Sequence, residues 1–179
     1  MGIIERSSRP IRTLATSLAV AGGVVLVLLA LLTGLNIIGR AFIWAGLKPI
    51  RGDVELVETG IAFAVAAFMP WCQLKRAHAS VTLFADRWGV RTNALLDLVS
   101  DTFLTLIAAL LMWRHAYGLL DKVQYGETTF ILQFPIWWGY AGVAIGLCVW
   151  IIVGAWTMAA DVQALIDGKA ARSGAGALH

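Results

Sequence analysis

Apolar and polar positions alternate in blocks rather than residue by residue. Four apolar stretches, about residues 14–43, 54–74, 93–120 and 135–160, are separated by short polar segments. Each is about twenty residues or more, the length at which a helix rising about 1.5 Å per residue crosses a hydrocarbon core of about 30 Å. The pattern therefore predicts four transmembrane helices. The first stretch contains Ala19-Val20-Ala21, which resembles a signal-peptide cleavage site. It runs on without a break through Gly22 to Leu35, well past the roughly 7–15 apolar residues of a signal sequence, so it is expected to stay as a helix. The fourth opens at Pro135, and proline suits a first helical turn because it has no N–H to leave unpaired.

The connections carry weaker patterns. Val81, Phe84, Ala85 and Trp88 recur at i, i+3, i+4 and i+7 with Asp86 and Arg87 between them. Within segment 79–89 this predicts a short amphipathic helix lying in the membrane interface, with a plain solvated loop as the alternative. The connection from Tyr125 to Phe134 mixes polar and apolar residues and is expected to dip into the interface. The Gly/Ala-rich tail, residues 168–179, is expected to be disordered.

Composition turns this pattern into a class. Of 179 residues, 59% are apolar and only 14% charged, and the mean hydropathy is +0.78, whereas a soluble domain is about 25% charged. A water-soluble globule is excluded, and the fold class expected is an all-α integral membrane protein forming a single membrane domain. Four spans with short connections leave no room for an ATP-hydrolysing or ligand-binding domain of roughly 100 residues. Any energy source or large substrate domain must sit on another chain.

Charge sets the orientation. The net charge is +3, but basic loops between apolar spans are what membrane insertion selects, so nucleic acid is not an expected partner. Arg6, Arg9, Arg12, Lys75, Arg76, Arg87, Arg91, Lys169 and Arg172 flank the spans on one side; Arg40, Lys48, Arg51 and Lys122 flank them on the other. Nine against four predicts both termini in the cytoplasm. Trp44, Trp71, Trp88, Trp137, Trp138 and Trp156 fall near the predicted span ends, where an indole prefers the headgroup boundary.

Ionisable groups in or near hydrocarbon are the sharpest chemical signal, because a central Asp, Lys or Arg costs about 2.5–3.5 kcal/mol on insertion. Arg40, Glu55, Glu58 and Arg114 lie toward the same membrane face on three helices. They are expected to form structural ion pairs, with Glu55 or Glu58 meeting Arg40 or Arg114. Two guanidinium groups at that depth would keep the acids ionised, which disfavours the alternative: an autonomous small proton-coupled transporter using Glu55 or Glu58. Asp97 and Asp101 share a face at the start of span three, where the helix dipole favours negative charge, with Lys75, Arg76 or His78 in reach. Only His115 of the three histidines falls within a span, so bis-histidine haem is excluded. Cys72 and Cys148 are isolated, and neither a phosphate loop nor a nucleophilic triad is present. No enzyme activity, cofactor or metal is expected. Gly139, Gly142 and Gly146 in span four, the last two in GxxxG spacing, together with Thr33 and Asn36 in span one, mark helix-packing faces toward another subunit or within the chain.

Four motifs, in order, resemble the small membrane subunit of tripartite ATP-independent periplasmic (TRAP) transporters, the DctQ-like family. They are Asn36-Ile37-Ile38-Gly39-Arg40-Ala41-Phe42; Asp53-Val54-Glu55-Leu56; Lys75-Arg76-Ala77-His78 before the amphipathic stretch; and Gly126-Glu127-Thr128-Thr129-Phe130-Ile131-Leu132-Gln133-Phe134-Pro135-Ile136-Trp137. The resemblance spans about residues 13–160. It implies a multi-pass protein of the bacterial inner membrane. In such transporters a soluble periplasmic substrate-binding protein captures an organic anion such as a carboxylate, and a large membrane subunit moves it in an elevator-like manner, driven by sodium. This chain would be the stationary scaffold of that complex. On that reading Lys48, Arg51, Asp53, Lys122 and Glu127 would meet the binding protein, and Asn36, Gly142 and Gly146 would pack against the large subunit.

Overall fold

A computed structural model of the protein describes residues 3–46, 50–75 and 90–167. Four long helices account for most of these: α1 (Ile3–Ala41), α2 (Asp53–Leu74), α3 (Val90–Tyr125) and α4 (Ile136–Asp167), with a 3-10 turn at Ile43–Ala45. All four are long and apolar enough to cross a membrane. Among the described residues there is no strand, only an isolated bridge between Thr128 and Pro135. Both the predicted interfacial helix in 79–89 and the tail 168–179 lie outside the described residues.

Three helices outrun their apolar stretches. α1 begins in the basic segment and carries Pro10 inside it, α3 continues to Tyr125, and α4 continues to Asp167. A backbone hydrogen-bond ladder does not need apolar side chains, so hydropathy marks where the membrane is and not where the helix stops. The 39 residues of α1 reach about 58 Å at 1.5 Å per residue, and one end therefore projects beyond the hydrocarbon. Left-handed glycines follow the 3-10 turn (Gly46, φ 87°), precede α2 (Gly52, φ 79°) and follow α3 (Gly126, φ 62°), a conformation glycine adopts without steric cost.

The helices pack in a row. α1 lies against α2, α2 against α4 and α4 against α3, while α1 meets α4 only slightly. That lesser contact is at the end carrying the termini, where Ala15 packs with Val149 and Val153. A second apolar cluster joins Ala108 of α3 to Leu147 and Trp150 of α4. Burial follows the order: of the most apolar window in each helix, 44% is buried in α4 and 22% in α2, but 11% in α3 and 6% in α1. The edge helices leave broad apolar flanks uncovered.

Small residues let α2 and α4 approach. A Cβ added at Gly146 would stand 2.7 Å from the Ala66 Cβ and 2.8 Å from its carbonyl carbon and oxygen; one at Gly139 would stand 2.6 Å from Thr59, and one at Gly142 3.2 Å from Phe63. The glycine face of α4 is thus filled by α2 of the same chain. The GxxxG spacing of Gly142 and Gly146 names a close-packing face, and within this chain α2 lies against it.

Toward the terminus end, a polar pin crosses the row. Gln73 of α2, 1% exposed, accepts from the Trp150 indole. Its amide nitrogen donates to the Thr105 hydroxyl of α3 at 3.3 Å and to the Thr157 hydroxyl of α4 at 3.3 Å. Thr105 and Thr157 pass their own protons back to the carbonyls of Asp101 and Gly154. Asp101 and Asp161 are buried at the same end. A buried amide is tolerated in an apolar core only when its donors and acceptors are matched, and this one ties three helices together.

Candidate functional site

Asn36, Asp53, Glu55, Lys122 and Glu127, singled out in the sequence, lie at the opposite end, where α1 gives way to α2 and α3 to α4. Asn36, 3% exposed, is the hub of the first junction. Its amide nitrogen donates to the Asp53 carboxylate, and its side-chain oxygen accepts from the Ile50 backbone N–H at 2.8 Å. One side chain thereby fixes the return of the chain from α1 into α2. The direction suits the charge, because Asp53 and Glu55 occupy the first turn of α2, the positive end of the helix dipole. Asn36 is therefore turned inward, with its polar group bonded into the chain's own junction.

Glu55 organises the second junction. Its two carboxylate oxygens accept from the backbone amides of Ile131 at 2.7 Å and Leu132 at 3.0 Å. These amides belong to a hairpin, residues 128–135, closed by Thr129 N–H to the Phe134 carbonyl at 2.8 Å, with Ile136 N–H reaching the Glu127 carbonyl at 3.1 Å just beyond it. Phe134 N–H donates to the Thr129 hydroxyl at 3.1 Å, and Gln133 takes a positive φ of 55° to complete the turn. Leu132 rests on Gly52, where a Cβ would meet its side chain at 2.6 Å. The hairpin is thus seated on the first turn of α2 by one carboxylate and one glycine.

This arrangement replaces the expected pairing of Glu55 with Arg40 or Arg114. Among the described residues neither arginine forms an ion pair with Glu55 or Glu58, and Arg40, Glu58 and Arg114 have exposed side chains. Backbone amides carry no sequence signature, which is why the charge at matching depth looked like the natural partner. The ion pair that does form at this end joins Lys122 to Glu127 at 2.5 Å, both partly exposed. Arg51 is exposed and Asp53 half-buried, while Lys48 lies outside the described residues. Next to Arg114, His115 turns inward, donating from Nε2 to the Tyr140 carbonyl at 2.8 Å and stacking on the Tyr140 ring at 4.9 Å.

Between α1 and α2, below the hairpin, runs a groove lined by Leu28, Leu29, Leu32, Leu56, Thr59 and Phe134 among others. It is apolar except for a threonine whose hydroxyl already donates to the Glu55 carbonyl at 2.9 Å. Among the described residues no group of three or more His, Cys, Asp or Glu side chains is placed to hold a metal ion. The geometry offers attachment points and apolar flanks.

A family of matching sequences decides what such a frame is. The family described as "Tripartite ATP-independent periplasmic transporters, DctQ component" matches residues 29–164, from the middle of α1 to the end of α4. The chain belongs to the DctQ family. No curated protein and no solved structure is significantly similar to it. The DctQ component is a multi-pass membrane protein and the small permease subunit of a TRAP transporter, a transporter component and not a member of an enzyme family. The matched region contains both junctions and the α2–α4 glycine contact. Sequence reasoning had located Asn36, Asp53, Glu55 and the Lys122–Glu127 region. It missed the Gln73 pin and Asp161, whose signal was present as uncharged and acidic polar residues in three spans at the terminus end.

Proposed function

We propose that this DctQ component is the stationary scaffold of its transporter. On this reading it braces a large elevator-type membrane subunit that carries the substrate and sodium sites. It also helps dock a periplasmic substrate-binding protein for sodium-driven uptake of organic anions, carboxylates among them. The observation that carries the reading is the open row of helices, whose edge helices α1 and α3 keep most of their apolar surface uncovered. A bundle that worked alone would close on itself around a polar path. Here three polar side chains hold the row together, Asn36 on Asp53, Glu55 on the hairpin and Gln73 on α3 and α4. The groove between α1 and α2 presents no charge to an anion.

The nine-to-four distribution of basic residues supports both termini facing the cytoplasm of a bacterial inner membrane, with the two junctions on the periplasmic side. Lys48, Arg51, Asp53, Lys122 and Glu127 would then lie where a binding protein arrives, and charge there tunes encounter and orientation more than affinity. The alternative of an autonomous proton carrier has less support, since Glu55 is already engaged by two backbone amides.

The test is reconstitution. The chain together with its large subunit and binding protein is expected to take up substrate in liposomes, and the chain alone is expected to carry none. Flux through liposomes holding only this chain would overturn the scaffold reading. Charge reversal at Lys48 and Arg51 is expected to weaken binding-protein association; unaltered association would remove the docking assignment.

A further inference from the structure

Phe130, at the tip of the hairpin, is 94% exposed, and Ile131 beside it is 54% exposed. The hairpin does not stand clear of the bundle. Phe134 lines the groove with Leu28, Leu29 and Leu32, and Leu32 lies nine residues before the end of α1. At 1.5 Å per residue that is about 13 Å down the helix, within the part of α1 that has no charge between Arg12 and Arg40. The roots of the hairpin carry Tyr125 on one side and Trp137 and Trp138 on the other, all exposed, the residue types that settle at the headgroup level. No charged residue occurs from Thr128 to Pro135.

Backbone polarity is what ordinarily keeps a loop out of the hydrocarbon just below that level. Here the amides of Thr129, Ile131, Leu132 and Phe134 are all satisfied, two within the hairpin and two by Glu55. We propose that the hairpin 128–135 is a lipid-surface anchor, clamped by Glu55 so that Phe130 and Ile131 enter the headgroup–acyl boundary of the bilayer. The occupant is lipid: depth, aromatic flanks and four paired amides all suit the boundary layer, where headgroups and water can serve the backbone groups that remain. The inference does not depend on the scaffold reading.

The experiment places a reporter at the tip. Phe130→Cys, in a chain whose Cys72 and Cys148 are replaced by serine, is labelled with an environment-sensitive fluorophore. The full chain, copurified with its large subunit, is incorporated in nanodiscs of phosphatidylethanolamine and phosphatidylglycerol. A fraction of the lipid carries a spin label near the headgroup. The expected result is blue-shifted emission that is lost as the spin-labelled fraction rises and is unaffected by aqueous iodide. Quenching by iodide would overturn the anchor, and quenching by neither agent would mean that protein covers the tip and would overturn it equally. Substitution at so exposed a side chain leaves the fold intact. Adding Glu55→Gln, which removes one of the two acceptor oxygens, is expected to reduce the lipid quenching; undiminished quenching would remove the clamp from the proposal.

Discussion

Gly146 of α4 and Ala66 of α2 meet so closely that a single added methyl would stand 2.8 Å from the Ala66 carbonyl oxygen. Backbone cannot yield there as a flexible side chain would, so the two helices must separate. Gly146→Ala is expected to destabilise the chain by about 1–3 kcal/mol, the range for overpacking a filled interior. Gly34→Ala is the control, because nothing lies within 4 Å of its added Cβ and alanine favours a helix over glycine by about 0.5–1 kcal/mol. Heat-induced unfolding in detergent should separate the two variants in opposite directions. Equal midpoints would mean that the α2–α4 contact is looser than the structure has it.

Asn36 joins two partners, the Asp53 carboxylate and the Ile50 amide. Asn36→Leu keeps approximate volume and removes both bonds, leaving a carboxylate and an N–H without a mate at a cost of about 1–3 kcal/mol. Asp53→Asn keeps a hydrogen-bonding side chain and should cost less. A double-mutant cycle between Asn36→Ala and Asp53→Ala is expected to give a coupling of about 0.5–3 kcal/mol. Additive single effects would show that the junction is held by packing alone.

The four spans were legible because length and apolarity fix a transmembrane helix with little help from tertiary structure. Helix ends were not, since the ladder continues through polar residues, in α3 as far as Tyr125 before the left-handed Gly126. Among site residues, Asn36 and Asp53 were readable as polar groups at a span boundary, but their mutual bond was not. Glu55 was readable as an acid at a span boundary in need of a partner. Its partner was hidden, because the amides of Ile131 and Leu132 are a property of a turn and not of side-chain identity. The glycines of α4 declared a close contact without declaring its address, since the same spacing serves an internal helix or a foreign one.

Gln73 presents a sharper test of buried polarity. Gln73→Leu leaves the Trp150 indole, 4% exposed as a residue, without the acceptor it has in the structure, and strips two threonine hydroxyls of a donor. Interhelical hydrogen bonds within membranes average only about 0.6 kcal/mol. Loss of the acceptor oxygen that the buried indole uses adds a cost of about 1–3 kcal/mol, so that term dominates. Gln73→Leu is therefore expected to be clearly destabilising in heat-induced unfolding. Thr157→Val, which leaves the Trp150 bond in place, should cost about 0.6 kcal/mol. If both variants unfold together, the indole finds another acceptor and the pin is not what joins α2 to α4.

Arg114 bears on how the DctQ component meets its large subunit. His115, one position on, faces α4 through its bond to the Tyr140 carbonyl, and successive residues of a helix are turned by about 100°. Arg114 is accordingly directed off the packed face, among the exposed Leu110, Leu111, Trp113 and Tyr117. It lies seven residues before Asp121, about 10 Å along the helix, deep enough that an uncompensated charge costs up to about 2.5–3.5 kcal/mol. On the scaffold reading, contact of this flank with the large subunit would be expected to offset that cost. Arg114→Leu should leave the unfolding midpoint of the isolated chain unchanged while lowering the yield of large subunit copurified with it, and Arg114→Lys should retain part of that yield. Should both variants copurify as well as the parent, the guanidinium reaches the headgroups along its own stem, and the outer flank of α3 is not where the large subunit binds.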